Sequence, residues 1–347
     1  MKPAVWRWGD PDGACNGRMA LGGLWTGLLL AAACAALAAM SLRAGALPLS
    51  LEQLWQALQG QGGQLEVAVV QQWRLPRVLM ALVVGAALGM SGAIFQSLIR
   101  NPLGSPDVVG FNTGAYTGAL VVITLFNGSH FQIAGGALAG GLLAAALVYL
   151  LAWRQGAHGF RLIIVGIAVS AMLSALNHWL LINASLEAAM GAATWGAGTL
   201  NGMTWNKGLP SALCCLLAML AALTLQRRMR LLEMGDDCAS ALGVPAERTR
   251  LWLMGLGVAL IASATAAAGP ISFIALAAPQ IAQRLQRTQA TSPLTAAWTG
   301  ALLLLAADYG AQQLFYPRQL PVGVVTICIG GLYLLWLLLR QTGARKP

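Results

Sequence analysis

Residues 76–98 read PRVLMALVVGAALGMSGAIFQSL. Apart from Arg77 the run carries no charge, and Gly85, Gly89 and Gly92 recur at helical spacing. As an α-helix it would be about 35 Å long, enough to cross the roughly 30 Å hydrocarbon core of a bilayer. Lipid offers no partner for backbone polar groups, so a span of this kind is helical. The glycines form a small-residue face that lets a neighbouring helix approach closely.

The remainder of the chain repeats the pattern. Of 347 residues, 58% are hydrophobic and 9% charged, with a mean hydropathy of +0.68; a soluble domain carries about 25% charged residues. The 41 glycines suit close helix packing in a bilayer. The fold class read from this is an all-α membrane protein of about ten spans. They are placed near 19–42, 76–98, 112–127, 132–153, 162–184, 208–226, 251–269, 271–284, 293–314 and 321–340, and the third and eighth are short. Residues 44–75 read as irregular, with a surface helix around Leu51–Leu58. The whole chain, 1–347, is one transmembrane domain with a tail over 1–18. The first apolar run, from about Met19, is long enough to span and is not read as a cleavable signal peptide.

An even number of spans places both termini on one side. Five of the 21 basic residues (Arg43, Arg74, Arg77, Lys207 and Arg318) fall on one face and the other 16 on the face shared with the termini. By the positive-inside rule both ends are cytoplasmic. The six cysteines give no disulfide framework, and the three histidines stand apart from one another, so no metal site is read. No nucleic-acid partner is read either. The chain lacks the G-x-x-x-x-G-K-[ST] loop that cradles nucleotide phosphates. Any ATP and magnesium therefore belong to another polypeptide, and the chain is not read as an enzyme.

One polar insert interrupts this composition: LLEMGDDCASALGVPAERTR, residues 231–250. Asp236 and Asp237 suit a helix N-terminus, where carboxylates meet unpaired amides. Gly243 and then Pro245 suit its end. The spacing predicts a helix of about two turns and a second one from about Ala246. So short a helix needs something to dock on, either as a platform for a cytoplasmic partner or as a plain solvated loop.

Other residues offer weaker signals. Gly166, Ser170, Ser174 and Asn177 fall on one stripe of the fifth span, beside His178. Such a stripe either lines an aqueous path or bonds to a neighbouring helix. Arg74-Leu75-Pro76-Arg77 opens the second span, with Pro76 suited to a first helical position. Asp308 is the one acid placed within a span. Gly89-Met90-Ser91-Gly92 matches the G-x-S-G of intramembrane serine proteases, yet that chemistry needs a base within reach of Ser91, and only His178 is available in the membrane. Spans two to five and seven to ten hint at an inverted repeat, a recurrent transporter device.

RLPRVLMALVVGAALGMSGAIFQSLIRNPLGSPDVVGFNTGA (74–115), RLLEMGDDCASALGV (230–244), GPISFIALAAPQIAQRL (269–285) and LPVGVVTICIGGLYLLWLL (320–338) together resemble the FecCD-type permeases of ferric-siderophore and cobalamin ABC importers. The resemblance covers nearly the whole chain after the first span. It implies the ten-span permease fold of type II ABC importers in the bacterial inner membrane. The cargo would be an iron(III)-siderophore complex, ferric enterobactin in particular, moved inward by alternating access. The implied partners are a second permease subunit forming a heterodimer, two ATPase subunits carrying ATP and magnesium, a periplasmic siderophore-binding protein and the lipid bilayer.

The same resemblance implies roles for particular residues. Within 227–250, Leu232, Gly235, Asp236, Asp237, Ala239, Leu242, Gly243 and Val244 would form coupling helices seated in an ATPase cleft. Arg74, Arg77 and Arg318 would meet acidic residues of the binding protein. Gly166, Ser170, Ser174 and Asn177 would line the path, and Gly156, Ala157, His158 and Gly159 would form the cytoplasmic gate. Relatives often read Pro-His-Ile where this chain has Pro279-Gln280-Ile281, so no role of that histidine transfers. The alternative class is a secondary transporter driven by an ion gradient; it would want ionisable groups deep in the membrane, of which this chain has almost none.

Overall fold

The computed structural model describes residues 5–8, 17–107, 110–152, 159–288 and 292–343. A short antiparallel hairpin, β1 (Val5–Trp8) on β2 (Gly17–Ala20), precedes an otherwise helical chain. The long helices are α1 (Leu21–Arg43), α4 (Leu75–Ile99), α6 (His130–Ala152), α7 (Gly159–Ile182), α9 (Trp205–Thr224), α12 (Ala246–Ala268), α14 (Pro293–Gln313) and α15 (Val322–Gly343). Between them lie α2 (Leu51–Leu58), α3 (Gln64–Ala68), α5 (Phe111–Phe126), α8 (Leu186–Gly196), α10 (Gln226–Glu233), α11 (Asp236–Ala241) and α13 (Ile274–Gln286). Among the described residues seven helical segments are long and apolar enough to cross a membrane, and α5 is a shorter apolar helix. With α13, only 13 residues long, and α15, the ten expected spans all have a helical counterpart, and the third and eighth are the short ones.

Helix α4 is the hub. It packs against α14, α12, α13 and α9, and most of its length is buried. Its glycines explain the closeness: a Cβ at Gly85 would lie 2.5 Å from the Gly300 carbonyl oxygen, and one at Gly89 or Gly92 would come closer still to the carbonyls of Ala296 and Ala275. The small-residue face is thus a packing face. A second glycine seam joins α5 to α6, where a Cβ at Gly114 would lie 2.7 Å from the Gly140 carbonyl oxygen.

Helix lengths follow similar patterns in the two sets of four helices. From α4 to α7 they run 25, 16, 23 and 24 residues; from α12 to α15 they run 23, 13, 21 and 22. Both sets read long, short, long, long.

Two local features differ from the sequence reading. The second span starts earlier than Pro76: α3, a π-helical turn over Val69–Arg74 and α4 form one helix from Gln64. Proline inside a helix lacks a donor and crowds the preceding turn. The widened turn accommodates it, with the Leu75 amide reaching back to the Val70 carbonyl. Helix α8, capped by the Ser185 side chain on the Ala188 amide, adds a helix between the expected fifth and sixth spans, where none was expected. The helix expected over Leu51–Leu58 is present, closed by a capping box between Ser50 and Gln53.

Candidate functional site

The polar insert folds as α10, α11 and the turn into α12. Helix α11 ends in a Schellman motif: Val244 N–H donates to Ala239 O (2.9 Å) and Gly243 N–H to Ser240 O (3.0 Å). Gly243 takes φ +77°, the left-handed conformation the motif demands. The eight expected coupling residues divide by exposure. Leu232, Ala239 and Val244 are buried and anchor the insert to the bundle. Asp237, Leu242 and Gly243 face outward, as does Met234, giving a knuckle that is apolar with one free acid. Gly235 and Asp236 lie between.

Asp236 and Asp237 open the first turn of α11, the helix N-terminus read from sequence. The Asp236 carboxylate is held there by two guanidiniums. Arg250 of α12 donates through Nη2 to both oxygens at 2.8 Å, and Arg100 pairs with Oδ1. The Arg250 hydrogen bond is the larger influence, and together the two arginines hold the Asp236 carboxyl below its ordinary value. Arg100 also donates to the Leu232 carbonyl at 2.8 Å, at the end of α10. It closes α4 with its own Schellman turn, Asn101 N–H to Gln96 O and Arg100 N–H to Ser97 O, at φ +54°. A non-glycine residue there costs about 1–2 kcal/mol. Arg250 ends the polar insert itself, whereas Arg100 was not legible as part of the site. Arg100 is 136 residues from Asp236, and only the packing of α4 against α10 joins them.

Two of the three expected docking arginines, Arg74 and Arg77, are engaged internally. Arg74 donates to the carbonyls of Leu42 (2.8 Å) and Leu47 (2.7 Å), which tie down the chain leaving α1. Arg77 forms a two-pronged ion pair with the fully buried Asp308 and also donates to Gln319. Asp308 therefore has a structural partner, and Gln312 donates to it as well. Arg318 is exposed.

The α7 stripe splits. Gly166 and Asn177 are buried, Ser170 is half-buried, and Ser174 is exposed. Ser170 faces the start of α5, since a Cβ at Gly110 would lie 2.6 Å from its Oγ. The start of α5 lies against the Gly166–Ser170 end of the stripe. A cavity of about 420 Å³ lies between α5 and α6, lined by Gly118, Leu143, Leu173 and neighbours, and includes none of the four stripe residues. Of the expected gate, Gly156, Ala157 and His158 lie outside the described residues, and Gly159 opens α7.

Ser91 donates to the Gly257 carbonyl at 2.7 Å in a fully buried position, whereas His178 is exposed, so the protease reading has no geometry behind it. Gln280 spans two elements: its Nε2 donates to Pro102 O (2.7 Å) and its Oε1 accepts from the Tyr333 hydroxyl (3.3 Å).

A glycine-seamed helical body with a small charged knuckle at one end is the architecture of a multi-pass transport permease. The relationships of the chain agree. Residues 29–340 match the FecCD transport family, and the chain belongs to it. It is 58% identical over 319 residues to the ferric enterobactin transport system permease protein FepG of Escherichia coli (strain K12), covering 92% of this chain and 97% of that one. It is 35% identical to the iron(3+)-hydroxamate import system permease protein FhuG of Bacillus subtilis (strain 168), over 87% and 92% of the two chains. A solved structure described as an inward-facing conformation of a metal-chelate type ABC transporter superimposes with a TM-score of 0.82 at 28% identity, covering 91% of this chain and 99% of its own.

Proposed function

We propose that this permease is one of two membrane subunits of an ATP-driven importer in the bacterial inner membrane, with ferric enterobactin as cargo. The observation that carries this is the 58% identity to the enterobactin permease along nearly the full length of both chains. A second permease subunit completes the pore, two ATPase subunits supply ATP and magnesium, and a periplasmic binding protein delivers the siderophore. Both termini face the cytoplasm, on the basis of the uneven spread of basic residues.

The knuckle formed by Met234, Asp237, Leu242 and Gly243 is the surface offered to an ATPase cleft. Its apolar side chains gain by being covered, and the buried Leu232, Ala239 and Val244 let it move as one piece. The path runs along α7 between the two permeases, with Ser174 on its exposed side. Residues 156–159 gate it from the cytoplasm. Of the three docking arginines, Arg318 is the exposed one and would steer an acidic binding protein. Arg77 and Arg74 hold the outer end in shape beneath it, and pairs at such exposed sites orient partners more than they clamp them.

The test is uptake of radiolabelled iron, supplied as ferric enterobactin, into proteoliposomes containing the complete transporter. Uptake should need ATP inside and both ATPase subunits. Uptake by the permease pair alone, driven by an ion gradient, would show a secondary transporter instead.

A further inference from the structure

We infer that Asp236, Arg100 and Arg250 form the clamp through which the knuckle drives α4, so that α4, and not only the helices joined to the insert by peptide bonds, receives the ATPase stroke. This rests on the coupling role proposed above. The insert is covalently continuous with α9 and α12 alone. Arg250 adds little to that linkage, because it already belongs to α12. Arg100 differs: it caps the C-terminal end of the helical hub, and its guanidinium reaches both the end of α10, at Leu232 O, and the start of α11, at Asp236. Since α4 packs on α14, α13, α12 and α9, a pull on Arg100 reaches most of the bundle.

The chemistry suits a link that tightens on engagement. The side chains of Arg100 and Asp236 are 43% and 47% exposed in the free subunit, where water weakens an ion pair. A partner seated on the knuckle would exclude that water and strengthen the attraction. The left-handed backbone at Arg100 adds a second indication. Glycine would fit that position without strain, and the residue found there is one whose side chain spans two elements.

The test uses the complete transporter and three variants: Arg100→Gly, Asp236→Asn and the two combined. Arg100→Gly keeps the turn, so the thermal midpoint of the complex should not fall, which separates the clamp from simple folding. Transport per ATP hydrolysed should drop about tenfold in each single variant, and the double variant should be no worse than either, because coupled residues give non-additive losses. Asp236→Glu should recover much of the ratio. Arg100→Gly at the wild-type ratio, or losses that multiply in the double variant, would overturn the inference. A wild-type complex that shows no ATP-dependent uptake at all would point instead to failure of the functional reading beneath it.

Discussion

Arg77 and Asp308, 231 residues apart, meet at 2.9 Å where α4 and α14 lie side by side, and the carboxylate has no exposure to solvent. The guanidinium engages both carboxylate oxygens, the geometry that makes arginine–carboxylate pairs specific as well as strong.

Removing one partner leaves the other charge buried and unpaired. Arg77→Ala should destabilise the permease by about 3–5 kcal/mol. Replacing both, Arg77→Met with Asp308→Leu, should cost much less. Thermal unfolding in detergent or nanodiscs measures both; equal losses in the two variants would show that the pair is not what holds this end together.

The glycine seam gives an opposite sign at two positions of the same residue type. Alanine in place of glycine in an exposed helix usually gains about 1 kcal/mol, and Gly255, with nothing within 4 Å of its would-be Cβ, should behave so. At Gly92 the new methyl meets the Ala275 backbone. Gly92→Ala should therefore lose about 1–3 kcal/mol as α4 and α13 are forced apart. The same unfolding assay compares them.

Gly243 has open space around it, so only its backbone constrains it. Gly243→Val should strain the turn by about 1–2 kcal/mol, whereas Gly243→Asn, a residue that tolerates the left-handed region, should be close to neutral. Hydrogen exchange at the Val244 amide reads the turn directly, and uptake per ATP should fall for valine and persist for asparagine.

Two arginines depress the Asp236 pKa from its ordinary 3.8. A lowered pKa means that the ionised, clamped form contributes fully above the unfolded value, and that this contribution is lost only as pH falls through the folded one. Coupling should accordingly be insensitive to this group between about pH 5 and 8. Exchange protection over Asp236–Ala241 should decline only under stronger acid, and Asp236→Asn should reproduce that decline at neutral pH.

Sidedness is open to labelling. With an impermeant maleimide, Asp237→Cys should react only from the cytoplasmic side and Arg318→Cys only from the outer side. Labelling of both from one side would break the ten-span arrangement.

That the chain lives in lipid, about how many times it crosses, and where its one large polar insert lies can all be read from residue order. The reason is that hydrocarbon leaves a segment little choice: about 20 apolar residues must be a helix and must span. The short third and eighth spans and the helix at Leu51–Leu58 were legible for the same local reason. The early start of the second span was not, because a π-turn ahead of Pro76 overrides the proline rule. Tertiary structure alone decided what the charges do. Arg74 and Arg77, read as free for docking, are spent on carbonyls and on Asp308. Asp236, read correctly at a helix N-terminus, is also held by Arg100 and Arg250, which its own segment does not disclose. The polar stripe of α7 is covered at its Gly166–Ser170 end by the start of α5. A side chain's surroundings depend on which distant helix packs beside it, and spacing within one segment carries no record of that neighbour.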